Sequence, residues 1–74
     1  MSKNPKKRAD IKLDMLVAVV QKRDQQSGET TEGLVRRILT NAAFHPRGIK
    51  VKLDTGEVGR VVEIIEEEEF DDDF

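Results

Sequence analysis

One run of alternating apolar and basic residues constrains the fold of this 74-residue chain more than any other feature. In residues 48–54 every second side chain is apolar, which is the two-residue period of a strand with one buried face. Asp54-Thr55-Gly56 follows, and its glycine can adopt the left-handed conformation that a tight hairpin needs. Residues 57–65 then return as a second β-branched run. The sequence therefore predicts a β-hairpin in which Lys50 and Lys52 point outward. The inward side chains are those of Ile49, Val51 and Leu53.

Other segments add strands and leave one ambiguity. Gly59 lies inside the returning run, where a glycine indicates a bulge or a close approach of another backbone. Residues 15–20 are rich in β-branched side chains and predict another strand, followed by a polar loop over 24–31. In residues 33–40 the apolar positions fit a helical stripe, while the Val, Ile and Thr content also suits a strand. Periodicity leaves helix and strand open there.

Charge divides the chain into a basic body and an acidic end. Residues 1–60 hold all 13 Lys and Arg against seven acids, which is +6, and residues 61–74 hold eight acids and no base, which is −8. A basic body attracts polyanions, whereas an acidic end of this kind is usually solvated. We predict a flexible basic arm over 1–10, one folded domain over 11–65 and a disordered acidic tail over 66–74.

Length and composition exclude several classes of protein. A chain of 74 residues forms one small domain at most. It has no run of about 18 apolar residues, as a transmembrane helix requires, and no apolar stretch follows its basic start. It also has no cysteine for disulfides, thiolate metal sites or nucleophilic catalysis. We expect a cytoplasmic protein without a membrane partner.

A longer string of short motifs resembles a known family. The motifs are Asp24-Gln25, Gly28, Ile38-Leu39-Thr40-Asn41, His45-Pro46, Gly48-Ile49-Lys50-Val51 and Gly56-Glu57-Val58-Gly59-Arg60-Val61. This string resembles the YwbE family of small bacterial and archaeal proteins, and residues 17–38 look like a KOW-type segment. The resemblance covers residues 11–65 and implies an all-β, SH3-like barrel of about four to five antiparallel strands, with a strand at 33–40. Family members tend to carry Pro-Gly where Leu13-Asp14 stands here, and the acidic tail is not part of the pattern. The resemblance implies no reaction.

Six basic residues are the candidate functional residues of the body. They are Arg36, Arg37, Arg47, Lys50, Lys52 and Arg60. Strand parity places Lys50 and Lys52 side by side on the outside, and Arg36 outward from an inward Val35. One basic face on a small barrel is typical of nucleic-acid binders. The other interpretation is that these cations only solvate exposed strands and protect strand edges. In the arm, Lys3, Lys6, Lys7 and Arg8 would add affinity.

The residues for catalysis or metal binding are sparse. His45 is the single histidine, and a general base needs an oriented partner and a pocket, so we predict a structural or surface role for it. Contact with a ligand is the alternative role for His45. The spacing of Asp24, Glu29 and Glu32 matches no cation-binding loop. We therefore expect no enzyme, no catalytic residue, no metal and no cofactor. Phe44 is the one aromatic ring of the body besides that imidazole, and we predict that it plugs a barrel end rather than stacking on bases.

These observations favour a binding module over an enzyme. We predict contact with RNA or a ribonucleoprotein through the basic face, dominated by phosphates, sensitive to salt and without a small-molecule substrate. The alternative is a protein-interaction module that uses a strand edge or the acidic tail. The tail itself admits three roles, which are a contact with the basic face, a docking motif for a partner, and a solubilising end.

Overall fold

The computed structural model describes residues 3–66, with side chains to Ile65, as a closed antiparallel barrel. The strands are β1 (Leu16–Val20), β2 (Thr31–Ile38), β3 (Lys50–Leu53) and β4 (Val58–Glu66). Each strand pairs with the next, and β1 pairs with β4 to close the barrel. This confirms the predicted small all-β barrel, with four strands. The predicted tail lies outside the described residues except for the backbone of Glu66.

Helical structure in the described part is limited to two short 3₁₀ turns. They span Arg8–Asp10 and Lys22–Asp24. No helix within residues 3–66 has the length and apolar character needed to cross a membrane. The segment that periodicity left open between helix and strand is β2, as the resemblance implied.

The core is formed by inward side chains of all four strands and by three residues that precede β1 or β3. Ile11, Met15, Val17, Val19, Val35, Ile49, Val51, Leu53 and Val61 form one cluster and are at most 4% exposed. Since full burial of one such side chain stabilises a fold by roughly 1.5–3 kcal/mol, this cluster is the main source of stability. The predicted parity of β3 is confirmed, because Val51 and Leu53 are buried while Lys50 and Lys52 are exposed.

A register shift in β2 changes which of its side chains face outward. Val35 and Arg37 pair with successive residues of β3, so Arg36 is the extra residue, as in a β-bulge. Val35 and Ile38 both pack on the core although they are three positions apart. That spacing of three is the feature that made a helix plausible from sequence. The shift also leaves both arginines exposed, whereas strict alternation would have turned Arg37 inward.

Gly59 allows β1 and β4 to approach each other closely. A Cβ at this position would lie 2.8 Å from Val19 Cγ2 and 2.8 Å from the carbonyl oxygen of Val20. Real side chains do not sit that close, so any larger residue would push β4 away from β1. The predicted close backbone approach is therefore confirmed, and it lies directly beside Arg60.

The N-terminal segment is attached to the barrel by its backbone. Pro5 O accepts a hydrogen bond from Ile49 N at 3.0 Å, Lys6 O accepts one from His45 N at 2.9 Å, and Arg8 N donates to Ala43 O at 2.9 Å. From residue 5 onward the structure thus differs from the flexible arm predicted over residues 1–10. The reason is that main-chain hydrogen bonds hold this segment, and they leave no apolar pattern in the sequence.

The turn before β1 contains a backbone conformation that favours glycine. Met15 N donates to Lys12 O at 3.3 Å across the turn, and Asp14 has a φ of 70°. An aspartate tolerates this left-handed region better than most residues do, but it does not match glycine there.

Asp14→Gly is expected to stabilise the protein by about 0.5–1 kcal/mol, which raises the Tm by about 2–8 °C for a domain of this size. Thermal unfolding followed by circular dichroism measures the change. Asp14→Ala is the control, because it removes the same charge and keeps a Cβ at positive φ. Its Tm should fall, and a glycine variant no more stable than the parent would contradict the argument.

Candidate nucleic-acid interface

Two pairs of like-charged side chains lie next to each other across the outer surface of the hairpin and β2. Lys50 is the cross-strand partner of Arg60, and Lys52 is the partner of Arg37. We call these four residues the basic face. The Cβ atoms of directly opposed residues in a sheet are about 4.5–5.5 Å apart, and like charges at that distance are destabilising. The free protein therefore maintains an unfavourable concentration of positive charge on β3.

A groove adjoins this face at the end of β1. Its lining comprises Val20, Lys22, Gln25, Arg47, Lys50, Val58, Gly59, Arg60 and Val62. It consists of two adjoining depressions, each of about 450–460 Å³, which share Val20, Gln25, Arg47 and Arg60. Valine side chains provide an apolar surface, and one amide and four cationic side chains lie around it. The groove can therefore hold an anionic group next to an apolar one.

Three hydrogen bonds hold the guanidinium of Arg60 and the turn that carries Arg47. Arg60 Nη1 donates to Gly48 O at 3.2 Å, which anchors a guanidinium that is partly buried. In the turn over residues 45–48, Gly48 N donates to His45 O at 3.0 Å and Arg47 N donates to His45 Nδ1 at 3.1 Å. The imidazole thus accepts a hydrogen bond from the backbone and shapes the turn that carries Arg47. This contact supports the structural role predicted for His45, with Nδ1 as the acceptor.

The groove cations lack acidic partners in the described part of the chain. The ion pairs found within residues 3–65 both involve Arg23, whose Nε is 3.6 Å from Asp24 Oδ2 and whose Nη2 is 3.9 Å from Glu57 Oε2. Glu57 also accepts a hydrogen bond from Gln21 Nε2 at 2.9 Å. Asp24 and Glu57 therefore pair with Arg23 and not with a cation of the basic face. The positive field of the groove is left to act on solvent and ligands.

Acidic side chains lie on the opposite side of the barrel. Ala18 of β1 lies between two inward valines and is 2% exposed, with Glu32 as its partner on β2 and Glu63 as its partner on β4. Both glutamates are exposed. Because β1 and β3 are across the closed barrel from each other, the carboxylates and the basic face point in different directions. A polyanion is therefore directed toward β3.

The structure brings together some of the six predicted residues and separates others. Arg47, Lys50 and Arg60 line the groove, while Lys52 and Arg37 extend the basic face beside it. Arg36 is exposed at the register shift and does not line the groove. Sequence reasoning missed Lys22, Gln25, Val20 and Val62, which reach the groove only because β1 pairs with β4. The sequence carries no local signal for that closure.

The predicted role of Phe44 as a plug of the barrel is wrong. Its side chain is 52% exposed, and its backbone forms an isolated β-bridge with Lys7. The barrel interior is filled by aliphatic side chains, which leaves no place for a phenyl ring. Among the side chains described, no cluster of three or more acidic or histidine residues could hold a metal ion.

Lys52→Glu is expected to stabilise the free protein by about 0.5–1 kcal/mol, because it turns a like-charged pair with Arg37 into an attractive one. Thermal unfolding at low and at 1 M salt measures the effect, which salt should screen. Lys12→Glu is the control, since it makes the same charge change outside the four strands. Equal Tm shifts in the two variants would show that the cross-strand pair has no special cost.

The groove lies in the part of the chain that is similar to known proteins. The sequence model of a family described as "Uncharacterized conserved protein (DUF2196)" matches residues 4–64. The chain is 44% identical over 62 residues to the uncharacterised protein YwbE of Bacillus subtilis (strain 168), which covers 84% of this chain and 95% of that protein. No solved structure matches. The matched range contains every residue of the groove and of the basic face.

Proposed function

The chain belongs to the YwbE family of uncharacterised conserved proteins (DUF2196), and since that description names no activity, we propose from the geometry that the protein binds RNA, free or in a ribonucleoprotein, without catalysing a reaction. The contact surface in this proposal is the groove together with the basic face. Phosphate oxygens would contact the guanidinium and ammonium groups, and a sugar or base would lie against the valines of the groove.

The observation that supports the proposal most strongly is the pairing of like charges across β3. One pair of opposed cations lies on each side of β3, Lys50 with Arg60 and Lys52 with Arg37. Repulsion within each pair lowers the stability of the free protein, and a bound polyanion offsets that cost. Cations that merely solvated the strands could equally be paired with acids, as Arg23 in the turn after β1 is paired with Asp24 and Glu57. The face is thus better suited to an anionic ligand than to water alone.

The shape of this surface favours RNA over a DNA operator. Sequence-specific reading of B-DNA usually places a helix or a two-stranded ribbon in the major groove. Residues 3–66 contain no α-helix, and the β3–β4 hairpin is part of a closed barrel rather than a separate ribbon. The surface is a twisted barrel wall with a concave site. Folded RNA presents irregular backbone and unpaired nucleotides that fit such a site.

Fluorescence anisotropy of a labelled RNA hairpin, measured from about 50 to 200 mM salt, tests the proposal. The label belongs on the RNA because the protein has neither Trp nor Tyr. We expect binding that weakens with a log–log slope of about −3 to −5, as four to six phosphate contacts would produce. A version ending at Glu66 is measured in parallel, because it lacks six acids that repel RNA at long range. Failure of both versions to bind at low salt would overturn the proposal.

The alternative is a protein-interaction module with two possible routes. One is strand addition, which needs an unpaired edge, and the pairing of β1 with β4 removes the two outer edges that an open sheet of these strands would have. The other route uses the acidic tail, which lies outside the described residues, so it stays a prediction. No contact in residues 3–65 favours it over RNA binding.

A further inference from the structure

Phe44 is an exposed aromatic ring in the connection between β2 and β3. Its side chain is 52% exposed, and residues 3–65 contain no other phenyl, phenol or indole ring. The conformation does not bury it, although a buried phenylalanine would add to the stability of such a small core. A feature that contributes so little to folding is available for contact with a ligand.

The backbone around Phe44 is held on both sides. Ala43 O accepts a hydrogen bond from Arg8 N at 2.9 Å, and His45 N donates one to Lys6 O at 2.9 Å. Phe44 itself forms the β-bridge with Lys7. The ring is therefore presented from an ordered backbone, which lowers the entropy lost when a ligand packs against it.

Basic residues lie near Phe44 in the sequence and on the segment that forms the β-bridge with it. Lys6, Lys7 and Arg8 belong to the paired segment and are exposed, and Arg47 lies three residues after Phe44 in the groove. An exposed aromatic ring among cations is the arrangement on which proteins stack bases of single-stranded nucleic acid, with the phosphates held by the basic side chains. The base of a duplex cannot stack in this way without leaving its own neighbours.

We propose that Phe44 stacks on an unpaired nucleobase of an RNA whose phosphates occupy the groove. The inference rests on the proposed function and narrows its ligand to RNA with an accessible single-stranded segment. The turn over residues 45–48 connects the two subsites, since its Arg47 lines the groove and its first residue follows Phe44 directly. Stacking supplies affinity for unpaired bases, and the groove supplies affinity for phosphate.

The test compares a labelled 12-nucleotide single-stranded RNA of mixed sequence with the same strand in a duplex. Phe44→Ala should weaken binding of the single strand about 5- to 100-fold. Its affinity for the duplex should stay within about twofold of the parent's, and its salt slope should equal the parent's. Phe44→Leu should behave like the alanine variant, because an apolar side chain without a π-face cannot stack. Phe44→Trp should keep the affinity, and its fluorescence, the only tryptophan signal of the chain, should be quenched by the RNA.

Leu13→Ala is the matched control, since Leu13 is 56% exposed and lies in the turn before β1. It should change neither affinity. If the parent binds neither RNA, the proposed function itself fails. If the parent binds but Phe44→Ala leaves the preference for the single strand unchanged, or lowers both affinities equally, stacking is refuted and the groove proposal stands. The Tm of each variant confirms that it is folded.

Discussion

Gly48→Ala is expected to destabilise the protein by at least about 3 kcal/mol, which would leave a large fraction of a domain this small unfolded at 37 °C. Two costs combine at this position. The residue has a φ of 102°, in the region that side chains rarely adopt, and an added Cβ would overlap the carbonyl oxygen of Val61. That oxygen belongs to the backbone of β4, so it cannot move without disturbing the barrel.

Gly56→Ala provides the matched control, because Gly56 also has a positive φ, 93°, but has no atom within 4 Å of its virtual Cβ. We expect a loss of about 1 kcal/mol from backbone strain alone. Urea unfolding followed by circular dichroism compares the two variants. Similar losses in both would mean that the contact with Val61 relaxes at little cost. The Gly48→Ala protein that stays folded should also bind RNA poorly, since Gly48 O anchors Arg60.

Reversing two charges of the groove, Arg47→Glu with Lys50→Glu, is expected to lower RNA affinity about 100-fold at 50 mM salt and to reduce the salt slope by about two. Both side chains are exposed, so the fold does not depend on their burial. The change at Lys50 also removes its repulsion from Arg60, which should maintain or raise the Tm. The anisotropy titration described above measures both quantities.

Lys12→Glu controls for long-range charge effects on this measurement. Lys12 precedes β1, whereas the groove lies at the other end of that strand, beside Val20. We expect only a small loss of affinity, with an unchanged salt slope. If the double variant binds as well as Lys12→Glu does, the groove is not the site of contact, and RNA would have to bind elsewhere on the barrel.

The hairpin could be predicted from sequence because its signals are local. Alternation over residues 48–54 fixes which side chains face inward, and Gly56 supplies the turn with a positive φ. Both follow from neighbouring residues alone. Alternation fails in β2, where one extra residue lets Val35 and Ile38 face the same side. A bulge shifts parity without any change in composition, and so the sequence suggested a helix and a strand equally.

The parts of the site that sequence could not supply depend on contacts between distant segments. Lys22 and Gln25 reach Arg47 only through the closure of the barrel. The docking of residues 5–8 relies on main-chain hydrogen bonds, which any sequence can make. Phe44 was expected to be buried because it is apolar, yet exposure is decided by the space left in the core, and the aliphatic residues fill it.

The pairing of β1 with β4 also determines when the barrel can fold. Val20 pairs with Arg60, which comes forty residues later in the chain, so forming this contact costs the entropy of closing a long loop. A nascent chain therefore keeps the apolar faces of Val17 and Val19 in water until β4 has been synthesised. Folding then proceeds after translation of the strands, in one cooperative step on the millisecond-to-second timescale of small β proteins. Until then, exposed apolar strand faces of this kind favour association between incomplete chains.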